Sequence, residues 1–446
     1  ANMDACMDDG SRSALSPRQH EWSIDRACVA QWVSWVILIS SPALTLALLS
    51  LISGHDCFSG LPLWSDEIDY WREMLSFVEA EDHAFGFYGF LGYPAEIGEW
   101  GCHGIAPLIV YGLPGMVFGW HPASIVIVNM VCCMLSFAIL IALVKPSVRC
   151  SALIVLLWLL YPPIFSYAPT SMMEMPQYAG VIVFTGLLLR YVGKRERGIA
   201  CALFAWVFLF AGVRVSNIVF FIPVVLFVGK FKVGRALFGA ALAALMLSVA
   251  AWELFGAFNA GYPSGFMASL SQEGSLARKG LMLLANVKGN LVNWFSLDEG
   301  IKQASQRYAY IAAMVALIAG VIMARVRPKA KDEDPSHVTL ARECVASFLV
   351  LFIALGIVIC AYDVFDWRDY RTLAPILWSQ LLFFAFRREK VVLASLGGIL
   401  CALLVASLPT FSATAAFEDA RYAAIPEAPS GFPLYEVESE GKDPRE

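Results

Sequence analysis

The 446-residue chain is poor in charge. Only 15% of its residues are Asp, Glu, Lys or Arg, against 59% hydrophobic residues and a mean hydropathy of +0.65. A soluble domain cannot keep that balance, so the composition describes a polytopic membrane protein. The chain also lacks His and Cys at the spacings of a structural zinc site, a phosphate-cradling glycine loop and a dinucleotide fingerprint. Nor does it show a solenoid repeat. A net charge of −5 offers nothing to nucleic acid. No apolar core followed by small residues precedes Arg26, so a cleaved signal is not expected, and residues 1-30 read as a cytoplasmic tail.

A membrane-crossing helix needs about 20 apolar residues. Runs of this kind occur at Gln31 to Ile52, Pro122 to Val144, Ser151 to Phe165, Met172 to Val192, Ile199 to Val213 and Ser216 to Val228. They continue at Ala236 to Phe258, Tyr308 to Ala324, Cys344 to Ala361, Thr372 to Phe386 and Val391 to Leu408. Gly104 to Trp120 is also apolar, but its glycines and prolines suit an interfacial or re-entrant helix. Counting it as a span would also turn the later basic loops outward. Without it, Lys145 to Arg149, Lys194-Arg-Glu-Arg197, Lys230 to Arg235, Arg325 to Arg342 and Arg387-Arg-Glu-Lys390 share one side with the N-terminus. The expectation is an all-α bundle of about eleven transmembrane helices filling residues 31-409. Outer loops cover 54-120 and 259-307, and a short extracytoplasmic tail covers 410-446. Ile199 to Val228 divides into two short spans, which recesses Arg214 below the outer surface. Cys57 and Cys102 bracket the first outer loop and are candidates for a disulfide.

The chemistry gathers in that loop. Trp64-Ser65-Asp66-Glu67-Ile68-Asp69-Tyr70-Trp71-Arg72-Glu73 follows the first apolar run closely. Carboxylates beside a hydrophobic segment imply a water-filled functional cavity; the alternative is a solvated acidic loop. As a helix, the stretch carries Asp66, Asp69, Tyr70 and Glu73 on one face, with Ile68, Trp71 and Leu75 on another. Further on come Tyr88, Tyr93, Trp100 and His103, and aromatics interleaved with acids suit a carbohydrate. Arg72, Arg214, Arg368 and Arg371 match phosphate geometry, the alternative being snorkelling at helix ends.

An Asp-Glu pair and a Tyr after the first span resemble the signature of the GT-C superfamily of glycosyltransferases, which includes protein O-mannosyltransferases and lipid A aminoarabinose transferases. His103-Gly-Ile-Ala-Pro-Leu108 resembles, with two residues changed, the family element leading into an interfacial helix. Tyr161-Pro-Pro-Ile-Phe-Ser-Tyr167 followed by Glu174 is similar to its third-to-fourth span turn, and Arg368-Asp-Tyr-Arg-Thr-Leu-Ala-Pro375 to its late Arg-Tyr…Pro element. The resemblance implies a GT-C-like bundle with interfacial helices in the first outer loop. It also implies transfer of a sugar from a polyprenyl-phosphate donor to a glycan or lipid acceptor in the cell envelope, with inversion, on the outer face of a bacterial cytoplasmic membrane. Asp66 is then the general base and the four arginines hold the donor phosphate. Asp69, Tyr70, Tyr88, Tyr93, Trp100, His103 and Glu174 hold sugar or acceptor, and Glu67 or Glu174 positions the sugar or helps hold a divalent cation. No metal or other cofactor is favoured. Two other readings stay open: a transporter or flippase for a lipid-linked glycan, and a polymerase or ligase of another fold.

Overall fold

The computed structural model describes residues 26–62, 65–79, 86–87, 96–97, 105–255, 265–295, 301–326, 335–361 and 370–386. Apart from one antiparallel pairing of two-residue strands, Gly86↔Ile97 and Phe87↔Glu96, these residues are helical or connecting. Three helices are long and apolar enough to cross a membrane: Ala27–Ser53, Ser124–Val144 and Leu340–Cys360. Shorter apolar helices accompany them, so the chain is an all-α, multi-pass membrane protein.

In chain order the helices begin with α1 (Arg26–Ser53), α2 (Ser65–Glu79), α3 (Leu113–Phe118), α4 (Ser124–Val144) and α5 (Val148–Leu160). Next come α6 (Pro162–Tyr167), α7 (Glu174–Lys194), α8 (Arg197–Val213), α9 (Phe221–Val228) and α10 (Val233–Phe255). The series ends with α11 (Gly265–Gln272), α12 (Leu276–Phe295), α13 (Ile301–Val326), α14 (Pro335–Ala361) and α15 (Tyr370–Ala385). A π-helical turn, Leu108–Gly112, leads into α3, and a 3-10 segment, Val215–Phe220, leads into α9. Polar side chains inside the bundle return their protons to the backbone, as apolar surroundings demand. Ser41 Oγ bonds the Leu38 carbonyl at 2.7 Å, Thr185 Oγ1 that of Val181 at 2.7 Å, and Tyr161 OH reaches across to Ala374 at 2.8 Å.

Contacts between chain-distant residues define two ends. At one, Gln31 Nε2 and Trp35 Nε1 donate to the Pro146 carbonyl at 2.7 and 3.0 Å, tying the start of α1 to the α4–α5 turn. There too Arg195 donates to the Phe227 carbonyl at 2.8 Å, and the Arg342 guanidinium lies 5.5 Å from the Phe231 ring centre. This end is basic. Helices α4 and α7 finish in left-handed residues, Lys145 (φ 45°) and Arg195 (φ 54°), and Lys230 (φ 56°) follows α9. Cations there complement the negative ends of the helix dipoles. At the opposite end lie α2, the start of α7, the end of α8 and the start of α15.

Several boundaries differ from those read off the sequence. Ser151 to Phe165 is not one helix: α5 stops at Leu160 because Pro162 and Pro163 push Tyr161 into an extended conformation (φ −84°, ψ 108°). The stretch 259-307, expected as an outer loop, holds α11, α12 and the start of α13, helices whose hydropathy is diluted by Arg278, Lys279 and Lys288. Helix α12 docks by its amides, Asn290 Nδ2 on the Ile359 carbonyl at 2.8 Å and Asn286 Nδ2 on Cys360 at 3.1 Å. These bonds satisfy carbonyls that the end of α14 leaves open. Cys57, at the start of the expected outer loop, is buried against the protein, while Cys102 and the run Val391 to Leu408 lie outside the described residues.

The stretch 199–228 is divided, with Arg214 extended (φ −155°, ψ 128°) between α8 and the 3-10 segment. Six 3-10 residues at about 2.0 Å and eight α-helical ones at about 1.5 Å carry the second limb roughly 24 Å. The more elongated 3-10 helix thus lengthens a segment short of residues.

Helix α8 crosses α7 where Gly180 removes a side chain, since a Cβ there would run into the Phe210 ring. Gly180→Ala is expected to cost about 1–3 kcal/mol through overpacking. Gly212→Ala, whose methyl meets open space, should change stability by no more than about 1 kcal/mol. Thermal unfolding of both variants in detergent checks this, and equal shifts would overturn the close-approach argument.

Candidate functional site

Helix α2 carries Asp66 and Glu67 in its first turn, where acids complement the positive end of a helix dipole. It is held down by a small core of Tyr70, Met74 and Leu75 against Tyr111, Trp120 and Met172. The glycines of the 104–120 segment earn their place in this seam. A Cβ on Gly112 would stand 3.0 Å from the Phe77 ring, and one on Gly115 2.7 Å from Val78. Tyr111 OH donates to Asn129 Oδ1 at 2.7 Å, and Asn129 Nδ2 to the Met172 carbonyl at 3.2 Å. That relay fixes the turn from which α7 starts. The buried face of α2 differs from the expected one: Leu75 joins Tyr70 in the small core, and Glu67 is the most deeply buried acid of the helix.

Four charged groups far apart in sequence meet at this end in alternating sign. Asp66 Oδ2 accepts from Arg371 NH1 at 2.9 Å. Arg371 Nε lies 3.7 Å from Glu174 Oε1, and Arg214 NH1 lies 3.6 Å from the same oxygen. Exposure is 29% for Asp66 and 27% for Arg371, drops to 2% at Glu174 and is 12% for Arg214. The group is open at Asp66 and closed at Glu174. Arg371 sits in the first turn of α15, ahead of its apolar stretch. Burial works against its charge, but Glu174 and then Asp66 outweigh that effect and push its pKa above the ordinary value.

Glu67 has a separate task. Fully buried, it accepts the backbone N–H of Ser171 at 2.6 Å and so clamps α2 to the turn before α7. The acid oxygens turn to Arg371, to the Ser171 amide and to the paired arginines, and among the described residues no three metal-ligating side chains converge.

The structure therefore brings together Asp66, Glu67, Glu174, Arg214 and Arg371, with Tyr70 close enough to act electrostatically on Arg371. Arg72 is exposed on α2 and takes no part in the ion chain. The side chain of Asp69, and Tyr88, Tyr93, Trp100, His103 and Arg368, lie outside the described residues. Sequence reading missed Tyr111, Asn129 and Ser171; an isolated amide or hydroxyl in an apolar run carries no spacing signal.

No family model matches the chain, and no curated protein matches it. Among solved structures it is similar to the crystal structure of ArnT from Cupriavidus metallidurans bound to undecaprenyl phosphate, at 14% identity, with 82% of this chain and 78% of that chain covered and a TM-score of 0.32. A likeness that loose places no residue of one chain on another. The site speaks through its own geometry.

Glu67→Leu leaves the Ser171 N–H buried without its acceptor and is expected to cost about 1–3 kcal/mol. Glu67→Gln keeps an accepting oxygen and should cost clearly less. Melting curves of the two variants test this, and a Gln variant as unstable as the Leu variant would show that charge, not acceptance, is what Glu67 supplies.

Proposed function

We propose that the protein is a membrane glycosyltransferase that moves a sugar from a polyprenyl-phosphate donor to a hydroxyl of an envelope glycan or lipid. The carrying observation is the alternating chain Asp66–Arg371–Glu174–Arg214 at one end of an apolar bundle. A lipid-borne phosphate arrives at that depth, and two guanidinium groups offer it charge-assisted hydrogen bonds. As the bond from the anomeric carbon to the phosphate oxygen breaks, they stabilise the charge left on the phosphate.

Asp66 is the general base. It stands at the open end of the charge chain, where an acceptor hydroxyl reaches it, and takes the hydroxyl proton as the new glycosidic bond forms. In the structure Asp66 is engaged by Arg371 at 2.9 Å. A bound phosphate competes for that guanidinium and so releases the carboxylate when the donor is in place. One displacement from the face opposite the phosphate inverts the anomeric centre. Glu174, shared by both arginines, sets their spacing. Arg368 joins the phosphate set, Asp69, Tyr88, Tyr93, Trp100 and His103 contribute to sugar and acceptor binding, and no metal or other cofactor takes part. Gathering of these charges at one end, rather than at mid-depth between symmetric halves, favours an enzyme over a carrier.

The site end faces the outside of a bacterial cytoplasmic membrane, because the opposite end bears Lys145, Arg149, Lys194, Arg195, Lys230 and Lys232. In a background without native cysteines, Arg278→Cys, at a position 76% exposed, is expected to react with an impermeant thiol reagent in intact cells. Lys194→Cys and Lys232→Cys should react only after lysis. The reverse pattern would invert the orientation and put the proposed site inside.

Asp66→Asn keeps the size of the side chain and removes the base. Transfer by purified protein in detergent is expected to fall roughly 10²–10⁴-fold, with the melting temperature nearly unchanged. Near-normal transfer would remove Asp66 from the chemistry and promote the transporter reading.

A further inference from the structure

Helix α7 and the 3-10 segment both leave the Glu174–Arg214 contact and run toward the basic end. On α7, Gln177 stands one turn below Glu174 on the same face. In the first turn of the 3-10 segment the Asn217 N–H bonds the Arg214 carbonyl at 2.9 Å. The two side-chain amides thus make a second layer in the sense that each stands one turn in from its member of the Glu174–Arg214 pair. Below them the Phe210 ring, set against Gly180, closes the floor.

The hydrogen bonds of this layer are lopsided. Gln177 Nε2 donates to the Met173 carbonyl at 3.4 Å and Asn217 Nδ2 to that of Phe210 at 3.2 Å, so both amide donors are turned to the backbone. Gln177 Oε1, Asn217 Oδ1, Ser216 Oγ and Glu174 Oε2 meet no hydrogen-bond partner among the described residues. None of the four residues is more than 5% exposed. A buried oxygen left without a donor is unfavourable, and four such oxygens on α7 and the 3-10 segment ask for donors.

We infer that this layer seats the sugar ring of the carrier-linked donor, with the ring hydroxyls donating to Gln177, Ser216, Asn217 and the second oxygen of Glu174. The inference rests on the glycosyltransferase reading above and adds to it the residues that select the sugar. Hydroxyls fit better than an ammonium group or a metal ion because the Glu174 charge is already met by two arginines and the other three oxygens are neutral. The site supplies acceptors, not uncompensated negative charge. The phosphate then lies on the arginines, and the ring is seated beside them so that the face of its anomeric carbon opposite the phosphate is turned to Asp66.

The test compares binding of sugarless undecaprenyl phosphate with binding of the same lipid carrying glucose, galactose, mannose, arabinose or 4-aminoarabinose, in the wild type, Gln177→Leu and Asn217→Leu. Melting curves confirm that each variant is folded. At least one neutral sugar is expected to tighten binding about tenfold or more in the wild type, the gain of one or two buried hydrogen bonds. Both variants should lose most of that gain while holding the sugarless lipid as before. If no neutral sugar tightens binding, or if the gain survives in both variants, the sugar seat is overturned and the phosphate site stands. A gain confined to the amino sugar overturns the hydroxyl assignment in favour of a cation-selecting site. Failure of the wild type to bind any of these lipids overturns the glycosyltransferase reading and the seat with it.

Discussion

A carboxylate removed from water must be met by positive charge or by hydrogen-bond donors, and the site end of this molecule is arranged around that demand at Glu174. Its Oε1 lies within 3.7 Å of both Arg214 and Arg371, so one oxygen sets the positions of guanidinium groups from the end of α8 and the start of α15. Asp66 then completes the row from α2. Three helix termini and α2 are thereby registered by charge where the apolar bundle, whose packing is non-directional, would leave them free to slide. Glu67 supports the same registry through a neutral route, by holding the Ser171 amide.

Long apolar helices are legible in sequence because hydropathy is a bulk property. Pro122 to Val144 and Met172 to Val192 differ from α4 and α7 by only a couple of residues at either end. Elements decided by local geometry are not legible in this way. The extended Tyr161 follows from two prolines inside an apolar run, and the 3-10 limb at Val215–Phe220 has no compositional mark that separates it from an ordinary helix. Helix α12 was hidden by its own amphipathicity, since three basic residues lower the mean hydropathy of a segment that still exposes Leu281, Leu284 and Val292.

The site shows the same division. Asp66, Glu174, Arg214 and Arg371 are visible in the sequence as charges beside hydrophobic runs, where charge is costly. Their mutual contact is invisible, because Asp66 and Arg371 stand 305 positions apart and no periodicity links them. Glu67 is adjacent to Asp66 in sequence yet points into the protein, a difference of about 100° around the helix axis that only the packing of α2 on the 104–120 segment reveals. Gln177 and Asn217 are lone amides in apolar surroundings. Their interest arises only once their donors are seen to be spent on the backbone.

The left-handed residues at the basic end have an energetic implication. Glycine is the residue a helix end of this shape prefers, and a side chain held there carries a penalty of about 1–2 kcal/mol. Lys145, Arg195 and Lys230 accept that penalty at three separate turns. Stability alone would favour glycine at each of them. The molecule instead gives up local conformational ease where its basic end gathers cations at helix ends, so that these charges are held in place by backbone conformation as well as by sequence.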